Sequence, residues 1–219
     1  MRGISLRVAA TAMAMTIALA GVSCNKEKSP KEEPKKALPA EQEEKERVEK
    51  ARQIKVARVN GVEITMYDLV REMNIIASKM VPDSSKRTPE TDARVKQAAL
   101  ALLIFRELAL QDAVRQGIKA SPQAVDDLIG KLKAGLGSED AYKAYLLKSG
   151  LTEESLRTQA EKDVLYSMIL DKEIYKKAKT GGKPQKEAMS IIEKRKQVWE
   201  KELKKNARLE MLLPEAEKK

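Results

Sequence analysis

Thr88-Pro89-Glu90-Thr91-Asp92, Ala98-Ala99-Leu100-Ala101-Leu102-Leu103-Ile104-Phe105 and Arg115-Gln116-Gly117 follow one another in the stretch whose reading decides the fold of this chain. Thr88 can cap a helix, Pro89 suits its first turn, and Gly117 can supply a left-handed stop. The spacing therefore predicts one helix from Thr88 to Gly117. Between Ala98 and Phe105 every residue is apolar, so this segment is expected to turn no face to water. A helix apolar all round is a core helix or a membrane span. The run lasts 8 residues before Arg106 and Glu107, far short of the ~20 a span needs. It reads as a central helix that other helices wrap.

Composition agrees with a helical protein. Of 219 residues, 42% are hydrophobic, 35% charged and only 3% aromatic, which suits a modest aliphatic core. The net charge of +10 is spread through Lys/Glu-rich segments, with no basic block interleaved with aromatics, so nucleic acid is not an expected partner. There is no histidine and one cysteine. Intrachain disulfides, Cys/His zinc sites and any His-based catalysis are excluded, and no metal or cofactor is expected.

Upstream of the central helix, residues 1–23 have the form of an export signal: Arg2 and Arg7, then the short apolar run Val8 to Leu19. Leu19-Ala20-Gly21-Val22-Ser23-Cys24 resembles a bacterial lipobox, in which the cysteine becomes the lipidated first residue. Gly21 departs from the usual leucine. The bland alternative is an ordinary secretory signal cleaved near Ala20. Asn25 follows the cysteine, which leans towards the outer membrane over inner-membrane retention. Residues 24–52 hold Pro30, Pro34 and Pro39 among Lys and Glu and have almost nothing to bury. They are expected to be a disordered tether with a reach on the order of 30 Å, or a coil that turns helical after Pro39.

A folded domain is expected over 53–214. It opens on Val56-Ala57-Arg58-Val59-Asn60-Gly61-Val62-Glu63-Ile64-Thr65. Asn-Gly is the strongest short hairpin signal, since both central residues of a type I′ turn need positive φ. This register puts Ala57, Val59, Val62 and Ile64 on one face and Arg58 opposite Glu63 on the other. Thr65-Met66-Tyr67-Asp68 then reads as a capping box opening a helix to about Met80. After the central helix, Ser121-Pro122 starts a short helix stopped by Gly135 and Gly137, and Ser138 caps another that ends at Gly150. Thr152 starts a long one running to about Lys179. Beyond the break at Thr180 to Pro184, a last helix over 185–206 carries Ile191, Ile192, Trp199 and Leu203 at helical spacing. Ala207 to Leu213 reads as a strand able to complete the hairpin's sheet, since a lone hairpin is marginal in water, and 215–219 as a solvated tail. The expected fold class is mainly α, an orthogonal helical domain around a central helix with a small β-hairpin closed by a C-terminal strand.

Val59-Asn60-Gly61-Val62-Glu63-Ile64-Thr65, Leu103-Ile104-Phe105-Arg106-Glu107-Leu108, Gln111-Asp112-Ala113, Ser121-Pro122 and Gly150-Leu151-Thr152-Glu153-Glu154-Ser155-Leu156-Arg157 occur in this order. That order resembles the core chaperone domain of the SurA and PrsA type of exported chaperones, over about Val56 to Leu213. In that family a parvulin prolyl isomerase domain usually sits between the last two long helices and uses histidines. Here the slot is only Thr180 to Pro184. The resemblance implies a chaperone without isomerase activity, and with the lipobox-like run before Cys24 the expected function is a membrane-tethered periplasmic chaperone for extended apolar segments of exported or outer-membrane polypeptides. The alternative is a structural lipoprotein that docks a single dedicated partner.

For client binding, the candidates are Met66, Met73 and Met80, spaced by 7 on one helix stripe, with Tyr142, Tyr145 and Trp199. Methionine suits promiscuous apolar binding because it is flexible and polarizable. The competing reading packs the methionines against the central helix and makes Trp199 a core anchor. The acidic pairs Asp126-Asp127 and Glu153-Glu154 fall near helix starts and read as dipole-compensating surface rather than as an acid and base.

Overall fold

The computed structural model describes residues 40–212. Helix α1 (Ala40–Gln53) leads into an antiparallel hairpin, β1 (Lys55–Val59) and β2 (Val62–Thr65), followed by α2 (Met66–Met80). Helix α3 (Pro89–Arg115) runs through the centre, and α4 (Pro122–Leu136), α5 (Glu139–Lys148) and α6 (Glu153–Leu170) follow. A π-helical turn over Asp171–Tyr175 and the short α7 (Lys176–Ala178) extend α6, and α8 (Gln185–Lys205) returns the chain to β3 (Leu209–Met211). The class is mainly α with one small three-stranded sheet of order β2-β1-β3.

The central helix begins and ends as its sequence requires. Thr88 accepts from the Thr91 N–H while Thr91 reciprocates, Pro89 fills the first turn, and Gly117 takes φ +69°. Its middle differs from the expectation of burial all round, because Ala98 and Ala101 are exposed. The larger residues divide between two cores instead. Leu100, Leu103, Ile104 and Leu108 join Val56, Ala57, Val59, Ile64 and Leu69 in one cluster. Leu102, Phe105, Ala109 and Ala113 join Ile169, Ile174 and Trp199 in the other. Only two small alanines are left to water, where exposure costs least.

The hairpin forms on Asn60 at φ +50° and Gly61 at φ +91°, with the expected register, Ala57 opposite Ile64 and Arg58 opposite Glu63. Two side chains depart from strict alternation. Val62 is 44% exposed although its register partner Val59 is buried. Val56 is fully buried although it is one residue out of phase with Ala57. A bulge between Lys55 and Ala57 accounts for the second, since the extra residue re-aims the strand. The terminal strand closes the sheet as its alternation suggested, Val59 facing Leu209 and Ala57 facing Met211. The Asn60 N–H donates to the Arg208 carbonyl at 2.9 Å, and the Leu212 N–H donates to the Val56 carbonyl at 3.0 Å.

Two further expectations change. Gly137, at φ +79°, caps α4, whereas Gly135 lies inside it. The long helix from Thr152 to Lys179 is not uniform: its π turn puts Glu173 and Ile174 into the interior. Of the tether stretch 24–52, the residues from Ala40 onward form α1, which packs on α2. The export signal, Cys24 and the remainder of that stretch lie outside the described residues, as does the tail 215–219.

Candidate functional site

Helix α2 starts where β2 ends, and this junction shapes an indented surface of the domain. Thr65 caps the helix, accepting from the Asp68 N–H at 3.2 Å, while the Thr65 N–H and hydroxyl donate to Asp68 Oδ2 at 3.1 and 2.7 Å. The capped first turn aims Tyr67 and Arg71, one turn apart, at the seam between α2 and its neighbours. The Tyr67 hydroxyl donates to the Ser149 carbonyl at 2.8 Å. The Arg52 guanidinium lies 4.4 Å from the Tyr67 ring centroid and donates to the Gly150 carbonyl at 3.0 Å. Gly150, at φ +57°, must be glycine for a second reason: a Cβ there would stand 2.7 Å from Val48 Cγ1 of α1.

Two grooves flank this seam, and Tyr67 and Arg71 border both. The first, of about 400 Å³, lies between β2, α2, α3 and α6, with Val62, Ile64, Leu103, Leu110 and Leu151 among its walls. The second, of about 580 Å³, lies between α1, α2 and the end of α5, with Val48, Ile54, Met66 and Val70 as its apolar part. Ile54, Val62 and Val70 are each 44–46% exposed, so the grooves present aliphatic surface to solvent.

Charge in the grooves is unevenly matched. Glu63 is held by Lys55 at 2.7 Å and Arg58 at 3.2 Å, which keeps its carboxyl below the usual range, the hydrogen bond from Lys55 foremost. Glu107 accepts from the Gln111 amide at 2.7 Å. Arg106 pairs with Asp163 and lies 5.3 Å from the Tyr166 ring centroid. Burial, and after it the neighbouring Arg71, pull the Arg106 guanidinium below its ordinary value, yet arginine stays charged throughout the working pH range. Burial pushes the Tyr166 phenol up to about 12, so it remains neutral.

The sequence candidates scatter. Met66 borders the second groove and, with Met73, packs on the first core cluster. Met80, 54% exposed, ends α2. The stripe of three is thus two core-packing residues and one solvent-facing one. Tyr142 is 2% exposed under Lys133, whose Nζ sits 4.1 Å over the ring, and Tyr145 is half-buried on α5. Trp199 is also 2% exposed. It meets Phe105 edge-on at 5.5 Å, and its indole N–H donates to Asp112 Oδ2 at 3.2 Å. Tyr142 and Trp199 offer no surface to a ligand in this conformation. Arg52, Tyr67, Arg71 and Arg106 are the residues that sequence reasoning passed over. The i, i+4 pair of a tyrosine and an arginine just after a capping box was the available signal.

Among the described residues no group of Cys, Asp or Glu side chains could hold a metal ion, and no helix is long and apolar enough to cross a membrane. What the site offers is grooved aliphatic surface with guanidinium groups in it.

The SurA-like N-terminal domain family matches residues 41–170. The chain belongs to that family. A protein named Chaperone SurA, from Chromobacterium violaceum, is similar to it at 29% identity over 120 residues, which takes in 54% of this chain and 28% of that protein. This chain therefore matches little more than a quarter of that relative. The family match spans α1 to α6 and includes both grooves of the SurA-like domain. The π turn, α8 and β3 lie beyond the match but belong to the same body. Trp199 completes the second core, and β3 pairs with β1.

Proposed function

We propose that the SurA-like domain is a chaperone that holds extended apolar segments of unfolded polypeptides in the paired grooves beside α2. The observation that carries this is the run of exposed aliphatic residues Ile54, Val62 and Val70 along grooves that the family match includes. Apolar side chains gathered in a concavity, rather than scattered, mark a binding surface. With groove volumes of about 400 and 580 Å³, each accommodates a few side chains of a peptide. No energy source is required, because burial of apolar surface alone favours capture.

The domain acts outside the cytoplasm, held to a membrane by lipid on Cys24, with the outer membrane favoured. This rests on the signal-like residues 1–23 and the lipobox-like run before Cys24. One acyl chain binds marginally, so stable anchoring requires more than one. No prolyl isomerase activity accompanies capture, since the chain has no histidine and only five residues, Thr180 to Pro184, stand where the resemblance would put a parvulin domain.

Light scattering of two unrelated unfolded proteins tests the reading. The full chain at equimolar ratio should suppress aggregation of both, and Val62→Asp combined with Val70→Asp should weaken that suppression severalfold. Both replacements are at exposed positions, so the fold should survive them. Failure to protect either protein, with one cellular protein bound at 1:1 stoichiometry, would favour the dedicated-partner reading. Replacing Cys24 with Ser should move the protein from the membrane to the soluble fraction, and continued sedimentation with membranes would refute the lipid tether.

A further inference from the structure

Arg71 borders both grooves, and its Nε is shut off from solvent with no hydrogen-bond acceptor among the described residues. Leaving a buried guanidinium N–H unmatched is unfavourable, and native proteins rarely do so without a functional reason. The carboxylates that line the first groove are already engaged. Glu63 serves Lys55 and Arg58, Asp68 closes the capping box with Thr65, and Glu107 accepts from Gln111. Lys162, on the same groove, makes no hydrogen bond or ion pair among the described residues. The second groove is more one-sided still. Arg71 and Lys148 line it with Lys50, which pairs with Glu46 at 3.8 Å, and no acidic residue lines it.

The geometry points to a client segment in which an acidic side chain stands between apolar ones, its carboxylate received by Arg71 with Arg106 behind it. This rests on the chaperone reading and names the class of segment that the grooves prefer. A guanidinium meets a carboxylate through two parallel N–H···O bonds, and such pairing is strongest where water is partly excluded. The aliphatic walls on both sides of Arg71 take the flanking apolar residues.

The test uses the full chain and two short fluorescent apolar peptides, both amidated, that differ only in a central Glu or Gln. Anisotropy at low salt should show the Glu peptide binding about tenfold tighter, ~1.4 kcal/mol. In Arg71→Met the ratio of the two affinities should fall towards one. Added salt should shrink the ratio in the wild type as well. Equal binding of both peptides to the wild type would overturn the proposal and leave the chaperone reading standing. Binding of neither, with no suppression of aggregation, would overturn both. A tenfold preference that survives in Arg71→Met would refute the role of Arg71. Recovery of the full gain by a Gln peptide with a free C-terminus would shift the ligand to a chain end, against the proposal. So would displacement of the Glu peptide by vesicles of anionic phospholipid, which would make the site a lipid site. Should Arg71→Met fail to fold, the wild-type comparison still decides, and Arg71→Gln provides the second variant.

Discussion

Replacing Trp199 with Ala removes the side chain that locks α8 to the central helix, and the structure sets the scale of the loss. Trp199 is 2% exposed, its ring meets Phe105 edge-on, and its indole N–H donates to Asp112, itself 4% exposed. Large-to-small replacement of a buried tryptophan costs about 3–5 kcal/mol, the cavity included. Trp199→Phe separates the contributions. It keeps most of the ring against Phe105 but withdraws the donor from Asp112, which retains Gln116 at 3.0 Å and Arg115. That variant should lose about 1–3 kcal/mol. The chain has a single tryptophan, so denaturation is best followed by far-UV circular dichroism in guanidinium chloride. A cycle with Asp112→Asn should return a coupling of about 0.5–3 kcal/mol, as for residues in direct contact. If Trp199→Ala unfolds within ~0.5 kcal/mol of the wild type, the range of a surface substitution, α8 is not part of the core and the reasoning fails.

Three more outcomes follow from the same geometry. Ending the chain after Asn206 removes β3, leaves β1 with an unpaired edge and deprives Arg58 of Glu210; because Leu209 and Met211 are 40% and 56% exposed, the loss is mostly of hydrogen bonds, about 2–4 kcal/mol at ~0.5–1.5 each, read as a lower midpoint in denaturant. Burial works to raise the Glu173 pKa, but hydrogen bonds from Lys177 and Gln116 outweigh it and leave the carboxyl lowered from 4.5; the stability this gives is present above the unfolded value and drains away as pH falls through the folded one, so Glu173→Gln should flatten the acid limb of the stability curve below about pH 4.5. Gly150→Ala puts a methyl into Val48 at a positive φ and should cost about 1–3 kcal/mol, seen as faster proteolytic cleavage within α1 while α3 to α8 stay protected; unchanged cleavage would detach α1 from the domain.

Legibility of the fold tracked how local each determinant was. Asn60-Gly61, the reciprocal caps at Thr65 and Thr88, and Gly117 each act within four residues, and all stand where the sequence placed them. The long-range pairing of β3 with β1 was also legible, because a lone hairpin needs a third strand and one alternating segment remained to supply it. The π turn at Asp171–Tyr175 was not. A π turn widens the helix locally within one continuous run, and a period of 3.6 fits both halves separately. Val56 escaped for the same reason, since a bulge changes phase without changing composition.

Grooves are harder to read than cores, because a core residue is betrayed by its apolar chemistry whereas a groove residue is betrayed by what it lacks. Met66 and Met73 looked like a binding stripe and pack on the first core cluster, Met66 also bordering a groove. Helical spacing says only that residues share a face, and α2 turns its face to β1, β2 and α3. Arg71 sits on that helix as one of 43 basic residues, marked in the sequence only by its spacing from Tyr67 just after the capping box. Its distinction is tertiary: its Nε is shut off from solvent and has no acceptor among the described residues. Grooves drawn from separate parts of the chain therefore make one ordinary arginine a charged point shared by both, among aliphatic walls. Such a point gives register to a site whose apolar contacts alone would let a peptide slide, since burial is non-directional and a bidentate ion pair is not.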